Sequence, residues 1–428
     1  MKYDVTEYGV RGDGVYNNTG EINALARLVK ENGGGTIWFP AGQYVTGSIR
    51  LYSNTTLYLE SGATLLASAS PEDYPKVSAD DAPGYTRDAY CGVITAFGES
   101  NIVIEGNGTV DGRGYNWWHK CRSDQMRPRT INPVLCNNVK IKDITILNSP
   151  CWTVHPICCE NVLVDGITII NPADSPNTDG INPESCRNVR ISNCCVDVGD
   201  DCITLKSGTE ADELQKSRPC ENILITNCNL VHGHGGIVIG SEMSGGVKNV
   251  TVSNCVFQNT DRGIRLKTRR KRGGRVENVV MNNLVMDSVL AAITVNAYYR
   301  CGADEADTEL ASPEMMPVTE ATPSISGVMI SGMICRNVRG AGIYMYGLPE
   351  KRIADITIQN VDMDVVGTPG GVEPVMAFAS TRTNGEGIVL KNAEHIRISN
   401  FRIRCPGEKL VFESGEDVEI NGQKMSEA

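Results

Sequence analysis

Apolar and polar residues alternate through most of this chain in short runs, and the runs share one phrase: Asn–Val–x–Ile/Val–x–Asn/Asp–x–x–Ile/Val. Clear copies begin at Asn138, Asn161, Asn188, Asn222, Asn249 and Asn278, and looser ones at Asn54, Asn101, Gly327, Ala354 and His395. Alternation with period two marks a strand with one buried face. Gly and Asn close the runs, where turns require positive φ. Spacings of 23 to 34 residues between clear copies, with almost no helical periodicity between them, predict a stack of similar coils. The expected fold is all-β, a single-stranded right-handed parallel β-helix in which each coil buries its apolar face only against its neighbours. A β-sandwich of unrelated strands is the competing reading, but sandwiches do not repeat one phrase along their length.

A stack of this kind needs a cover on its exposed end. Thr19–Asn32 is the best amphipathic helix in the chain, with Thr19 as N-cap, Glu21 in the first turn, and Ile22, Leu25, Leu28 and Val29 on one face. Gly33–Gly34–Gly35 ends it. The segment 1–50 is therefore expected to cap a single β-helix domain, 1–428. Two excursions interrupt the repeat, Pro71–Tyr90 and Cys301–Pro323. The second carries Asp304, Glu305, Asp307, Glu309, Glu314 and Glu320 and no basic residue. Such a loop would repel a polyanion, so it is expected to turn away from any acidic substrate, the alternative being that it limits how far a chain can enter.

The chain has 428 residues, a hydrophobic fraction of 41% and a formal charge of −11, which argues against nucleic acid as a partner. No stretch is long and apolar enough to span a membrane. The N-terminus lacks the basic and apolar regions of a signal peptide, so a cytoplasmic location is expected. Export with a leader already removed is the alternative. Among sixteen cysteines, Cys194, Cys228 and Cys255 each follow Asn at one place in the repeat, which predicts small buried side chains stacked coil on coil. No zinc-type spacing occurs, and no metal or cofactor is expected.

The candidate chemistry falls into four segments: Asn177–Thr178–Asp179–Gly180, Gly199–Asp200–Asp201, Gly233–His234–Gly235 and Arg265–Leu266–Lys267. Asp179 lies 18 residues after Asn161, Asp200 12 after Asn188, His234 12 after Asn222, and Arg265 16 after Asn249. At nearly equal phase, and with stacked strands ~4.8 Å apart, these residues are expected to line one longitudinal strip. Clustered carboxylates raise one another's pKa, which suits a division into a protonated acid and an ionised base. Glycoside hydrolysis needs that division. Arg265 and Lys267, two apart on a strand, share a face and suit a substrate carboxylate. The basic run Arg269–Arg275 reads as a solvated loop, or as a local positive field for such a substrate.

These segments resemble the four motifs of the polygalacturonase family, glycoside hydrolase family 28, departing only at Leu266, where Ile is usual. Tyr8–Gly14, Gly33–Gly42, Asn148–His155 and Ser175–Ser207 are also similar to that family, so the resemblance covers nearly the whole chain. It implies hydrolysis of α-1,4-galacturonosyl bonds of polygalacturonate or its oligomers, with inversion. Asp200 would be the general acid, and Asp179 and Asp201 would hold and deprotonate the attacking water. His234 would tune the acid pair, Arg265 and Lys267 would bind a galacturonate carboxylate, Tyr298 would be the site tyrosine, and Asn177 would position the Asp179 loop. Trp117–Trp118 and the passage from Ala297 through Pro323 look more like bacterial exo-acting members, so exo action is expected. A rhamnogalacturonan hydrolase, a pectate lyase and a non-catalytic carbohydrate-binding β-helix are the rival readings. Adjacent rungs by themselves point to a shorter acid–base distance than the ~6.5–9.5 Å usual for inversion.

Overall fold

The protein is described here by a computed structural model, which covers residues 1–77, 89–120, 126–212, 218–304 and 306–425. The centre of the first excursion and Glu305 of the second therefore lie outside the described residues. The chain divides into two compact units, Met1–Asp201 and Cys202–Ala428.

In the first unit each coil contributes three short strands, and successive coils pair in parallel. One row runs through Thr55–Leu59, Ser100–Gly106, Asn137–Lys142, Glu160–Asp165 and Arg187–Ser192. A second runs through Ala63–Ala67, Thr109–Asp111, Thr145–Leu147, Thr168–Ile170 and Cys195–Asp197. The third contains Ile49–Arg50, Ile94–Phe97 and Ile131–Val134, then continues through the bridges Ile131↔Val154↔Ile181. Inward positions stack like on like: Leu57, Ile104, Ile141, Val164 and Ile191 follow one another in register and are buried. Parallel pairing throughout these rows excludes the sandwich.

The second unit repeats the plan with longer, bent strands. Val247–Gln258, Arg275–Asp287, Val328–Val338, Ile353–Val365 and Glu386–Arg404 pair in parallel. On another face Gly235–Ile239, Arg262–Lys267, Ala291–Asn296 and Ala341–Tyr346 do the same.

The repeated phrase has a structural cause. Its first residue adopts left-handed backbone at Asn54, Asn101, Asn138, Asn161, Asn188, Asn222, Asn249 and Asn278, with φ between 56° and 61°. Asn tolerates this region better than other non-glycine residues. The side-chain amides then bond from coil to coil: Asn101 to Asn54 at 2.7 Å, Asn138 to Asn101 at 2.7 Å, Asn249 to Asn222 at 3.0 Å. The looser copies use Gly327, Asp355 and His395 in the same conformation, so the turn sits one residue later than Ala354.

The helix occupies Thr19–Glu31, with Asn18 rather than Thr19 at the N-cap position. Thr19 is already helical; its backbone N–H and hydroxyl both donate to the Asn17 side chain. Ile22, Leu25, Ala26 and Val29 are buried against the strands Gly35–Phe39 and Ile49–Arg50, while Leu28 is only half-buried. Gly33, at φ 82°, follows its end.

Cys194, Cys228 and Cys255 are buried as the repeat predicts, and the described cysteines are all free thiols. The Cys255 thiol bonds with Cys228, and this contact together with burial pushes its pKa up. Cys136, Cys159 and Cys186 form a further stack, in which the thiols of Cys159 and Cys186 accept from the backbone of the preceding members at 3.4 Å.

Candidate active site

Within Met1–Asp201, Asp179, Asp200 and Asp201 come together. One carboxylate oxygen from each lies within 4.8 Å of the others, with Asp179 and Asp201 buried and Asp200 half-buried. The backbone explains the approach. Gly180 N–H donates to Asp201 O at 2.9 Å, so Asp179 and Asp201 begin adjacent rungs. Asp200 precedes the strand Asp201–Leu205 and occupies the turn after Gly199. A side chain at Gly199 would run into Ser175 O at 2.3 Å, which is why only glycine admits this turn.

The Asp179 loop is fixed from several directions. Asn182 Nδ2 donates to Asp179 Oδ2 at 3.0 Å. Gly199 N–H donates to Thr178 Oγ1 at 3.3 Å, and the Thr178 and Ser175 hydroxyls are 2.5 Å apart. Asn177, at φ 54°, accepts from Arg127 at 2.6 Å. Arg127 is fully buried and also donates to Pro150 O and Pro176 O. Sequence reading missed Arg127; nothing around it repeats, and its partners lie as much as fifty residues away.

In Cys202–Ala428, His234 is half-buried in the turn between Asn229–Val231 and Gly235–Ile239. Arg265 and Lys267 project from the strand Arg262–Lys267 while Ile264 and Leu266 enter the core, as their spacing predicts. Both cations are buried, and the ring between them belongs to Tyr299. Arg265 Cζ lies 5.6 Å and Lys267 Nζ 5.0 Å from its centroid.

Tyr298, the tyrosine expected at the site, packs elsewhere, with Arg270 Cζ 5.1 Å from its ring centroid. Its ring stacks on Tyr346 at 4.4 Å, and its hydroxyl donates to Ser312 O. Burial pushes its pKa up to about 12. The strand ends at Asn296, whose side chain accepts from Tyr298 N–H, and Tyr299 N–H then donates to Thr268 O beside Lys267. That turn places Tyr299, one residue later, beside Arg265 and Lys267.

The run after Lys267 also departs from expectation. Arg269, Arg270 and Arg272 are buried rather than solvated. Arg270 pairs with Glu350 at 2.7 Å and donates to the carbonyls of Glu309, Ser312 and Glu314. Arg269 and Arg272 share Glu210, and Lys271 pairs with Asp307 and Glu309. The acidic excursion Cys301–Pro323 is thus tied to this cationic stretch and does not turn away from it.

A second insertion, unforeseen, also reaches the cations. Arg262 donates to Glu373 O and Pro374 O at 2.9 Å, and Arg265 Nη2 lies 3.1 Å from Met376 Sδ. Glu242 pairs with Lys206 at 2.8 Å. Burial works to raise its pKa, but the charges of Lys206, Arg272 and Lys267 outweigh burial and hold the carboxyl well below the usual range.

A parallel β-helix bearing three clustered carboxylates at the ends of adjacent rungs belongs to the class of proteins equipped for acid–base hydrolysis of glycosides. The family model for glycosyl hydrolases family 28 matches residues 76–341. A probable polygalacturonase from Vitis vinifera is 34% identical over 396 residues, 86% of this chain and 78% of its own. An endo-polygalacturonase from Pectobacterium carotovorum is 29% identical, covering 60% of this chain and 65% of its own. Among solved structures, the exopolygalacturonase of Thermotoga maritima superposes with a TM-score of 0.77 at 26% identity, covering 99% of this chain and 93% of that one. These likenesses confirm the right-handed β-helix. The chain belongs to glycosyl hydrolases family 28 and is a polygalacturonase-family glycoside hydrolase.

Proposed function

We propose that this hydrolase cleaves α-1,4-galacturonosyl linkages of polygalacturonate or oligogalacturonides with inversion, releasing galacturonate from a chain end. The observation that carries the reading is the Asp179–Asp200–Asp201 cluster in a family-28 chain. Asp200, the most exposed of the three, donates a proton to the leaving oxygen. Asp179 and Asp201 bind the water and take its proton. His234 tunes the acid pair, Arg265 and Lys267 bind a substrate carboxylate, and Asn177 holds the Asp179 loop. Tyr299 takes the place expected for Tyr298, since its ring accompanies the two cations.

Inversion rests on family membership rather than on spacing; carboxylate oxygens within 4.8 Å stand on the short side of the usual inverting range. Exo action is supported by the likeness to the Thermotoga enzyme and by the Cys301–Pro323 loop tied to the arginines that follow Lys267. A cytoplasmic location is supported by the free, mostly buried thiols, which suit a reducing compartment. Imported oligogalacturonides would then be the substrate.

Product analysis tests this reading. Polygalacturonate should yield monomer as its only short product at early times, and trigalacturonate equal amounts of monomer and digalacturonate, with the β-anomer appearing first by NMR. Mixed oligomers would replace exo by endo action, and an early α-anomer would replace inversion by retention. The three carboxylates are close enough to hold a cation. A calcium-dependent product absorbing in the ultraviolet would therefore indicate a lyase instead.

A further inference from the structure

One aromatic residue shares a column with the carboxylates, and the roles proposed above leave it unused. The same backbone bond recurs from rung to rung: Thr130 N–H donates to Trp152 O, Thr153 N–H to Asp179 O, and Gly180 N–H to Asp201 O. The residue following each column member donates to the next member. Arg129, Trp152, Asp179 and Asp201 therefore form one column, and the bridges Ile131↔Val154↔Ile181, two residues further on, give the same alignment. Adjacent members are separated by about one strand spacing, ~4.8 Å. Trp152 stands one rung from Asp179.

The indole is half-buried, while the groups that grip it are buried. Arg129 Cζ lies 5.1 Å from its ring centroid, and the His155 ring meets it edge-on at 4.7 Å and 89°. Arg129 Nε donates to His155 Nδ1 at 2.8 Å, which leaves the proton of a neutral imidazole on Nε2, 2.7 Å from Glu184 Oε2. Asn132 Nδ2 donates to His155 O at 2.6 Å. A charged pair around a histidine is costly to bury unless each member is satisfied. Here the network's outlet to the surface is an aromatic plane beside the acid cluster.

We propose that Trp152 is a sugar-stacking platform, which receives the C–H face of a galacturonate ring one residue along the chain from the bond being cleaved, and that Arg129, His155 and Glu184 are positioning residues that fix its plane. The proposal rests on the galacturonan reading above and adds a subsite to it. Aromatic rings bury a large apolar area with few degrees of freedom, so a fixed indole binds a pyranose face at little entropic cost. Stacking of this kind acts on binding more than on the chemical step.

Tryptophan fluorescence titration with trigalacturonate, in an Asp200→Asn background that binds without turnover, tests the platform. The emission should change on saturation, and the change should vanish in the Asp200→Asn/Trp152→Phe double variant. In the active enzyme, Trp152→Ala should raise KM about tenfold with kcat nearly unchanged, and Trp152→Phe should recover most of the loss. An identical fluorescence change with and without Trp152, or an unchanged KM in a folded Trp152→Ala enzyme, would overturn the proposal. Whether the wild type releases galacturonate decides the underlying reading separately, since a wild-type enzyme that hydrolyses the polymer while Trp152 proves silent removes only the platform.

Discussion

The carboxylates of Met1–Asp201 and the cations of Cys202–Ala428 are held in place by opposite means. Asp179 takes its amide donor from a residue three positions away, and the Thr178 hydroxyl beside it is bound by Gly199, 21 positions away. Among the described contacts of this loop the longest reach is that of Arg127, fifty residues from Asn177. The cations depend on distant insertions. Arg269 reaches Glu210 across 59 residues, Arg270 reaches Glu350 across 80, and Arg265 and Arg262 reach the segment at 373–376 across more than 110. Clustered acids need only precise turns, because their mutual repulsion is what the chemistry uses. Buried cations need counter-charges and carbonyls to offset desolvation, and strands of a solenoid cannot provide them from within one coil.

The comparison breaks most visibly at the acid. Asp200→Asn should lower kcat about 10³-fold with little change in KM or melting temperature, because a proton donor is lost while the fold is untouched. Steady-state kinetics on polygalacturonate measure it, and near-wild-type turnover would remove Asp200 from the acid role.

On the cationic side the larger effect should be on stability. Arg270→Met leaves Glu350 buried without its partner and releases the Cys301–Pro323 loop, at a cost of about 3 kcal/mol by denaturant unfolding. The pH dependence sharpens this. Burial works to raise the Glu350 pKa, yet the hydrogen-bonded charge of Arg270 outweighs it, and the folded value lies below the usual 4.5. A depressed folded pKa contributes stability that is complete above the unfolded value and lost as pH falls through the folded one. The wild type should therefore lose this contribution below about pH 4.5. In Arg270→Met only the backbone N–H groups of Glu350 and Met316 still oppose burial, so the folded pKa should rise and the stability lost on acidification should shrink. Parallel pH profiles for the two proteins would show that the pair does not anchor the loop.

The smallest expected effect falls on the device that both regions share. Asn161→Ala and Asn249→Ala each force alanine into left-handed backbone and interrupt the amide ladder, so each should cost about 1–2 kcal/mol. The corresponding glycine variants should cost less, since glycine tolerates positive φ. Unequal losses in the two alanine variants, read as melting-temperature shifts, would show that the ladder carries more of one region than of the other.

Much of the molecule was legible from residue order. The register asparagines, the alternation and the stacked cysteines announced the coils, and the phase of Asp179 and Asp200 within their coils announced the acid cluster. Arg265 and Lys267 were placed on one face by strand parity alone. That Tyr299 and not Tyr298 accompanies Arg265 and Lys267 was not legible, because parity ceases at Asn296, where a side-chain bond turns the chain. The arginines after Lys267 were read as solvated because a basic run carries no local sign of its partners, and those partners are Glu210, Glu350 and the aperiodic excursion Cys301–Pro323.

Sequence by itself determined the β-helix, its capping helix and the carboxylate triad, because period-two burial and left-handed turns are local requirements that recur at every coil. Tertiary structure decided which tyrosine meets the cations, what neutralises the buried arginines, and that Trp152 shares a column with Asp179 and Asp201. Those outcomes depend on which distant segments cover a given rung, and no periodic signal encodes the path of an insertion.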